Sequence, residues 1–316
     1  MDQELKPEIK KDRFFSVSVL ISAIIIAGAL VYSAKLKIAN TEGTANLLSA
    51  QTSEIEEKVL PSQGVILPVR WGDLGSKLVS AGAIDANQFM AIYDQRDAFT
   101  EEYKNLLFGQ DNGKLKITNE NAGYLLNLFW ALGLANKNPV LESGEMANPK
   151  YGGAQNFAST GGWIIAEGSP MDHYSRHVFF TLTPEQQKLV DKVSRGIYRP
   201  CCDNSTHFPD CNHGMAMLGL LELMASQGVS EQEMWKTALA VNSYWFPDAY
   251  ATIAAYMHGK GIKWEDVNPQ EVLGINYSSA SGYARIAAQV TQPQEQRGGG
   301  GCAVSEAEPE YKPSTC

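Results

Sequence analysis

The most informative segment for the fold of this chain is GMAMLGLLELMAS, residues 214–226. Its side chains are apolar almost all round the helix that its composition predicts, and Glu222 is its only charged residue. A helix without a polar face is buried on every side in a globular domain. We therefore expect this helix to be the centre of the core. Met215 and Met217 should pack there, and Glu222 should pair with a polar neighbour.

The sequence around this helix also predicts helices. Three expected starts carry an N-cap residue with Glu or Gln three residues later, at Thr183, Ser230 and Asn268. The predicted helices cover residues 72–81, 86–94, 98–108, 119–135, 184–195, 214–227, 231–243, 247–259 and 279–290. Strand patterns are weak, with short candidates at residues 163–166 and 178–182. The fold class expected is mostly α, with an all-α domain of short helices and long loops.

An uncharged apolar run at residues 14–34 precedes this domain. As a helix it is roughly 30 Å long, which matches the hydrocarbon thickness of a bilayer. The end of the run lacks a small-x-small cleavage site, because Tyr32 stands two residues before Ala34. The run is therefore predicted to be an uncleaved transmembrane anchor rather than a cleaved signal peptide.

Basic residues set the expected orientation of the anchor. Lys6, Lys10, Lys11 and Arg13 precede it, whereas two lysines and then several glutamates follow it. The positive-inside rule keeps such a basic flank in the cytoplasm. We expect a single-pass membrane protein whose residues 1–13 are cytoplasmic and whose larger C-terminal part is extracytoplasmic.

Composition divides the rest of the chain into three parts. Residues 35–64 are polar and are predicted to form a stalk. Residues 65–290 carry the helical patterns and form the predicted domain, with a long Gly-, Ala- and Asn-rich loop at residues 136–175. Residues 291–316 are rich in glycine and proline and are predicted to be a disordered tail.

The overall composition limits the class of partner. Hydrophobic residues make up 44% of the 316 residues, which is enough for a sizeable core. The formal net charge is −9. An acidic surface repels a phosphate backbone, so nucleic acid is not expected as a partner.

Cysteine and histidine gather in one loop, RPCCDNSTHFPDCNHGMAM, residues 199–217. The donors that this loop offers to a soft metal are Cys201, Cys202, His207, Cys211 and His213. A second pair, His173 and His177, is spaced i,i+4, which on a helix places both rings on one face. Thiolate and imidazole groups are protein ligands of Zn²⁺ and Cu⁺. These seven residues therefore predict a site for copper or zinc.

The same cysteines support a second interpretation. Outside the cytoplasm cysteines tend to oxidise, and Cys211 can pair with Cys201 or Cys202. Cys211 also directly precedes the central helix, and a cysteine at a helix N-terminus is reactive. Two alternatives to a metal protein therefore stand. One is an anchored thiol–disulfide redox protein, and the other is a disulfide-stapled module that binds another envelope protein without catalysis. The tail cysteines, Cys302 and Cys316, have no predicted role.

Several activities lack their motifs in this chain. Gly-x-Ser-x-Gly, Walker, dinucleotide-binding and His-Glu-x-x-His patterns are absent, as is the Cys-x-x-Cys-His pattern of covalent haem. We expect neither haem nor nucleotide, and the sequence favours a binding protein over a conventional enzyme.

One short resemblance concerns residues 199–234. The order of a cysteine-rich loop, a helix and then Ser-Glu-x-Glu-Met resembles the helical thiol proteins of cytochrome c maturation. Those proteins carry Cys-x-x-Cys, whereas this chain has Cys201-Cys202. No haem or apocytochrome role is therefore inferred from the resemblance.

Overall fold

The computed structural model describes residues 53–94 and 99–290 of the chain. Within these ranges 61% of the residues are helical and 8% are extended, so the mostly helical class is confirmed. The predicted cytoplasmic segment 1–13, anchor 14–34 and tail 291–316 lie outside the described residues. Inside them, no helix combines the length and the apolar character that a membrane crossing needs.

The described chain alternates short helices with turns. The α-helices are α1 (residues 53–59), α2 (Leu74–Ser80), α3 (Ala86–Asp94), α4 (Glu101–Phe108), α5 (Ala122–Ala135), α6 (Pro139–Ser143), α7 (Ala158–Gly161), α8 (Pro170–His173), α9 (Pro184–Gly196), α10 (Asn212–Ser226), α11 (Glu231–Trp245), α12 (Pro247–Gly259), α13 (Pro269–Val272), α14 (Ile275–Ser278) and α15 (Ala280–Ala287). The strands are β1 (Val65–Gly72) and β2 (Asn112–Ile117). Each predicted helix is present, with ends that differ by a few residues.

The expected helix starts differ in how they are capped. Thr183 and Gln186 form a complete capping box, in which each side chain bonds the other residue's backbone N–H. At α11 the Ser230 side chain accepts from the backbone N–H at the third helical position, and Asn268 caps α13 in a similar way. Short polar caps therefore fix where these helices begin.

The core is built on two buried helices, α5 and α10, which pack against each other. Every residue of α5 except Gly123 and every residue of α10 except Ser226 is buried. The two backbones meet where Gly133 faces Gly219: a Cβ added to Gly133 would lie 2.1 Å from the carbonyl oxygen of Met215. So close an approach is possible only without a side chain. The prediction of a central buried helix is confirmed.

A two-stranded antiparallel sheet corrects the expectation of an all-α domain. β1 pairs with β2, and Val65 lies opposite Ile117. Alternate residues of β1 point inward, since Leu67, Val69 and Trp71 are each at most 1% exposed. A period of two in burial is the mark of a strand with one buried face. The strand forms because these three side chains complete the core beside the helices.

The segment 136–175 is made of helical turns rather than of open loop. It contains α6, α7 and α8 and three 3₁₀ turns. The strand candidates at residues 163–166 and 178–182 are wrong, since neither is extended in a sheet. Trp163 is fully buried instead, and its Nε1 donates a 2.8 Å hydrogen bond to the carbonyl of Ala83. The buried indole and its hydrogen bond hold the chain around Trp163 in a turn instead of a strand.

Part of the predicted stalk, residues 35–64, falls within the described residues. Val59 is 3% exposed, and Leu60 packs against the same core. The hydroxyl of Tyr244 in α11 donates to the carbonyl of Pro61 at 2.7 Å. These contacts attach the last residues assigned to the stalk to the helical core.

Candidate metal centre

The cysteine-bearing loop follows α9 and ends at the start of α10. Its first part is closed by a backbone hydrogen bond from Thr206 to Ile197 at 2.8 Å. Its other side is held by a bond from the N–H of Ala280, at the start of α15, to the carbonyl of Cys202 at 3.0 Å. The surrounding helices therefore set the path of the loop and the directions of its side chains.

Cys201, Cys211 and His213 converge at the N-terminus of α10. The Sγ of Cys201 lies 3.5 Å from the Sγ of Cys211 and 4.0 Å from the Nδ1 of His213. Each residue offers one ligand atom, and the three atoms lie within 4.8 Å of one another. Two ligands of a single zinc ion, at bond lengths of about 2.0–2.3 Å, are themselves roughly 3.3–4 Å apart. The three side chains could therefore hold one ion after small adjustments.

A second group consists of Cys202, Asp210 and Cys211, with ligand atoms also within 4.8 Å. Its carboxylate is already engaged, because Asp210 accepts hydrogen bonds from Arg199 Nη2 at 2.7 Å and from Asn204 Nδ2 at 2.8 Å. Binding a metal through Asp210 would disrupt a buried ion pair, which is costly. The group with His213 is the better candidate for this reason.

Arg199 is the residue that organises the site, and the sequence did not predict this role. Its side chain is 1% exposed, and its Nε donates to the Sγ of Cys211 at 2.9 Å. The other nitrogens donate to Asp210 and to the backbone carbonyls of Asn204 and Phe208. A buried guanidinium with its donors satisfied in this way is held in one geometry. The only available signal was a single arginine directly before Pro-Cys-Cys.

Gly214 makes room for this guanidinium. A Cβ at position 214 would lie 2.5 Å from the Cζ of Arg199, far inside van der Waals contact. The arginine therefore lies against the first turn of α10, and any side chain at position 214 would push it away. This explains why a glycine follows His213 at a position where a helix has no conformational need of one.

Cys211 is the cysteine of this cluster whose surroundings favour the thiolate. Hydrogen bonds from Cys201 and Cys202, together with the Arg199 cation, hold the pKa of Cys211 well below its usual range. Its place as the N-cap of α10 acts in the same direction. The pKa of Cys201 is raised, because its hydrogen bonds to Cys202 and Cys211 and its burial favour the protonated thiol. Burial also raises the pKa of Asp210, against the effect of Arg199.

Aromatic rings cover the imidazole side of the site. His213 is 2% exposed, and its ring centroid lies 4.4 Å from that of Phe246 and 6.0 Å from that of Trp245. Both rings stand at the junction of α11 and α12. They exclude bulk water from the imidazole and limit its movement.

His207 is not brought to the sulfurs, although it lies in the same loop. Its Nδ1 contacts a carboxylate oxygen of Glu145, and its Nε2 lies 2.8 Å from Asp191. Arg195 completes this group through a bond to Asp191 at 2.9 Å. His207 belongs to neither potential metal group among the described residues. In this structure it ties the loop to α9 and to the 3₁₀ turn that holds Glu145.

His173 and His177 are adjacent, but not for the reason predicted. α8 ends at His173, and Ser175 has a left-handed φ of 54°, so the two rings do not share a helix face. They meet across a turn, with Nδ1 of His173 3.0 Å from Nε2 of His177. His173 also contacts the carbonyl of Glu167 at 2.8 Å. Neither histidine belongs to a potential metal group in the described ranges.

Met215 and Met217 are core residues, as predicted, with at most 1% of each exposed. Glu222 is fully buried and accepts hydrogen bonds from the side-chain amides of Asn136 and Asn138. Burial raises the pKa of Glu222 well above its usual value, even though the two amides favour the carboxylate. Glu222 thus pairs with polar neighbours and fastens the start of the 136–175 segment to α10.

One of the alternative interpretations expected a disulfide bond between Cys211 and Cys201 or Cys202. Cys201, Cys202 and Cys211 are free in the structure, so the predicted disulfide is not formed.

Comparison with known families, with curated proteins and with solved structures returned no match to this chain. Only the geometry of the site therefore bears on its function.

Proposed function

We propose that this protein binds one soft transition-metal ion, Cu⁺ or Zn²⁺, through Cys201, Cys211 and His213. The observation that carries the proposal is the convergence of two sulfurs and a ring nitrogen within 4.8 Å at the start of α10. Sulfur and imidazole donors select these two metals over hard cations such as Mg²⁺ or Ca²⁺.

The donor number bears on the choice between the two metals. Three donors, two of them thiolates, match the low coordination number that Cu⁺ accepts. Structural Zn²⁺ is almost always tetrahedral and needs a fourth ligand. Cys202 or a water molecule would supply it. The three-donor geometry on its own therefore favours Cu⁺.

The test is metal binding by the full chain with Cys302→Ser and Cys316→Ser, so that only the loop thiols remain. Cu⁺ and Zn²⁺ are each supplied in oxygen-free buffer, in competition with a chromogenic chelator. We expect one ion per chain. Cys201→Ser and Cys211→Ser should each weaken binding by more than about 100-fold, since even outer-shell changes cost 10–100-fold. Binding that survives both substitutions, or that never occurs, would reject the proposal.

We further propose that residues 14–34 anchor the protein in a membrane, with the metal-binding domain on the extracytoplasmic side. The support is the uncharged apolar run and its basic N-terminal flank. An anchored domain of this kind would bind metal at the envelope surface.

A further inference from the structure

We propose that the metal site is also a thiol–disulfide centre, in which Cys201 and Cys211 are oxidised together by a low-molecular-weight disulfide and the metal is thereby expelled. The expulsion of metal rests on the proposed function, whereas the formation of the disulfide rests on the geometry of the two sulfurs. Metal occupancy would then report the thiol–disulfide balance of the compartment.

The two sulfurs are already close to bonding distance. Their separation is 3.5 Å, whereas a disulfide bond is about 2.05 Å long, so roughly 1.5 Å of movement is required. Cys201 and Cys211 lie on one loop, so small side-chain rotations on both can share this movement. The fold therefore places the pair for oxidation without unfolding the loop.

Exposure assigns the order of the two cysteines. Cys201 is partly exposed, whereas Cys211 is 9% exposed and lies behind it at the helix start. An incoming disulfide reaches Cys201 first. Cys211 is the resolving cysteine, and its Sγ accepts a hydrogen bond from the Nε of Arg199 at 2.9 Å. Cys202 is 3% exposed and turned toward Asp210, with its Sγ 3.9 Å from the carboxylate. It takes no part in the exchange.

In the metal-loaded chain neither sulfur carries a proton, and the reaction with a disulfide RSSR has two steps. The Cys201 sulfur attacks RSSR, the S–S bond of RSSR breaks, and Cys201–S–S–R forms with release of RS⁻. The Cys211 sulfur then attacks the Cys201 sulfur, the protein disulfide forms, and a second RS⁻ leaves. Each RS⁻ takes a proton from the solvent. Two electrons pass from the cysteine pair to RSSR.

Metal loss follows from the identity of the sulfurs. The pair that forms the disulfide is the pair that supplies both thiolate ligands, and a disulfide sulfur is no longer an anionic donor. After oxidation only His213 remains of the three proposed ligands. Metal binding and the Cys201–Cys211 bond are therefore mutually exclusive.

The test uses the full chain with Cys302→Ser and Cys316→Ser, loaded with Cu⁺ or Zn²⁺ and treated with oxidised glutathione. We expect the loss of two thiols, release of the metal to a chromogenic chelator, and reversal by a dithiol. Cleavage before Asp203 and Asp210 separates Cys201 from Cys211, so non-reducing mass spectrometry identifies the linked peptides. Retention of metal by the oxidised chain would overturn the inference.

Variants assign the roles within the pair. Cys202→Ser should form the disulfide at the wild-type rate, whereas Cys211→Ser should stop at one glutathione adduct on Cys201. Circular dichroism checks that each variant is folded. An adduct on Cys202, or a disulfide between Cys202 and Cys211, would overturn the assignment.

His213→Asn separates the two proposals. It should lose metal binding and still form the Cys201–Cys211 disulfide. A chain that binds metal but forms no disulfide would refute this inference alone. A chain that forms the disulfide but never binds metal would refute the proposed function and, with it, the expulsion of metal.

Discussion

The Nε of Arg199 donates a hydrogen bond to the Sγ of Cys211 across 2.9 Å, from a position where the arginine is 1% exposed. The same guanidinium holds Asp210 through Nη2 at 2.7 Å. One buried cation thus neutralises a carboxylate and stabilises a thiolate. The integrity of the loop and the charge on its central sulfur are therefore set by the same side chain.

Replacement of Arg199 by Gln tests its effect on the sulfur. Removing the cation destabilises the thiolate, so the pKa of Cys211 should rise and its alkylation should shift to higher pH. The measurement is the rate of iodoacetamide labelling of the Cys211 peptide against pH, by mass spectrometry. Arg195→Gln, on the exposed side of α9, is the control and should leave the profile in place. An unchanged profile in Arg199→Gln would show that Arg199 does not lower the pKa of Cys211.

The same substitution should destabilise the fold. Asp210 would be left buried without its partner, and breaking a buried ion pair from one side costs about 3–5 kcal/mol. Urea unfolding measures this loss. Asp210→Asn together with Arg199→Gln should recover part of it, because the buried carboxylate that lost its partner is then removed as well.

The crossing of α5 and α10 gives a prediction about packing. Gly133→Ala would place a Cβ 2.1 Å from a backbone oxygen of α10, which no side-chain rotation can relieve. We expect a loss of about 2–3 kcal/mol in the free energy of unfolding. Gly123→Ala on the same helix is the matched control, since nothing lies within 4 Å of its added Cβ. It should be neutral or stabilising by about 0.5 kcal/mol. Equal effects at the two positions would contradict the close crossing.

The helical part of the fold was predictable because its signals are local. Apolar periodicity and polar caps such as Thr183 fix where α9 and the later helices begin, whatever the tertiary context. The sheet was missed although Leu67, Val69 and Trp71 alternate with period two. Pro68 interrupts this short run, and β2 carries only two buried residues, so neither strand is marked clearly on its own.

The candidate site was predictable only as a set of residue types. The sequence places Cys201, Cys211, His207 and His213 within one short loop, but it does not say which way each side chain points. His207 contacts Asp191 and Glu145, which are distant along the chain, and His213 is directed by its place in α10. Arg199 carries no motif at all, because its role arises from long-range burial. Tertiary contacts decide these directions, and local spacing does not encode them.

Glu222 predicts how stability depends on pH. Burial raises its folded-state pKa above the ordinary value of 4.5, so the folded chain holds the proton more tightly than the unfolded chain. The free energy of unfolding should therefore fall as pH rises from about 4.5 toward the raised pKa. Glu222→Gln should flatten this slope in urea titrations between pH 5 and 8. Exposed Glu233→Gln in α11 is the control and should leave the slope as in wild type. A wild-type curve that rises over this range, and whose rise Glu222→Gln removes, would show that the folded-state pKa of Glu222 is not raised.

The proposed anchor predicts topology and processing. A reporter fused after residue 65 should be active only on the extracytoplasmic side, because the basic flank before residue 14 stays in the cytoplasm. Mass spectrometry of the purified chain should find residues 1–13 still attached. Recovery of a soluble form that begins near Lys35 would mean that the apolar run is a cleaved leader.

His213 and His207, which the sequence places in one loop, should differ in their effect on metal binding. His213→Asn removes a proposed ligand, whose Nδ1 lies 4.0 Å from the Sγ of Cys201, and should weaken Cu⁺ or Zn²⁺ binding by more than about 100-fold. His207→Asn should leave metal affinity within a few-fold of wild type, because its ring contacts Asp191 and Glu145 rather than a sulfur.

The same two variants should differ in stability without metal. Loss of the His207 bridge removes hydrogen bonds to charged groups and should cost about 2 kcal/mol in urea unfolding of the apo chain. His213→Asn keeps a polar group between Phe246 and the sulfurs and should cost less than that. Metal affinity that falls equally in both variants would place His207 among the ligands, and the assignment of the site to His213 would then be wrong.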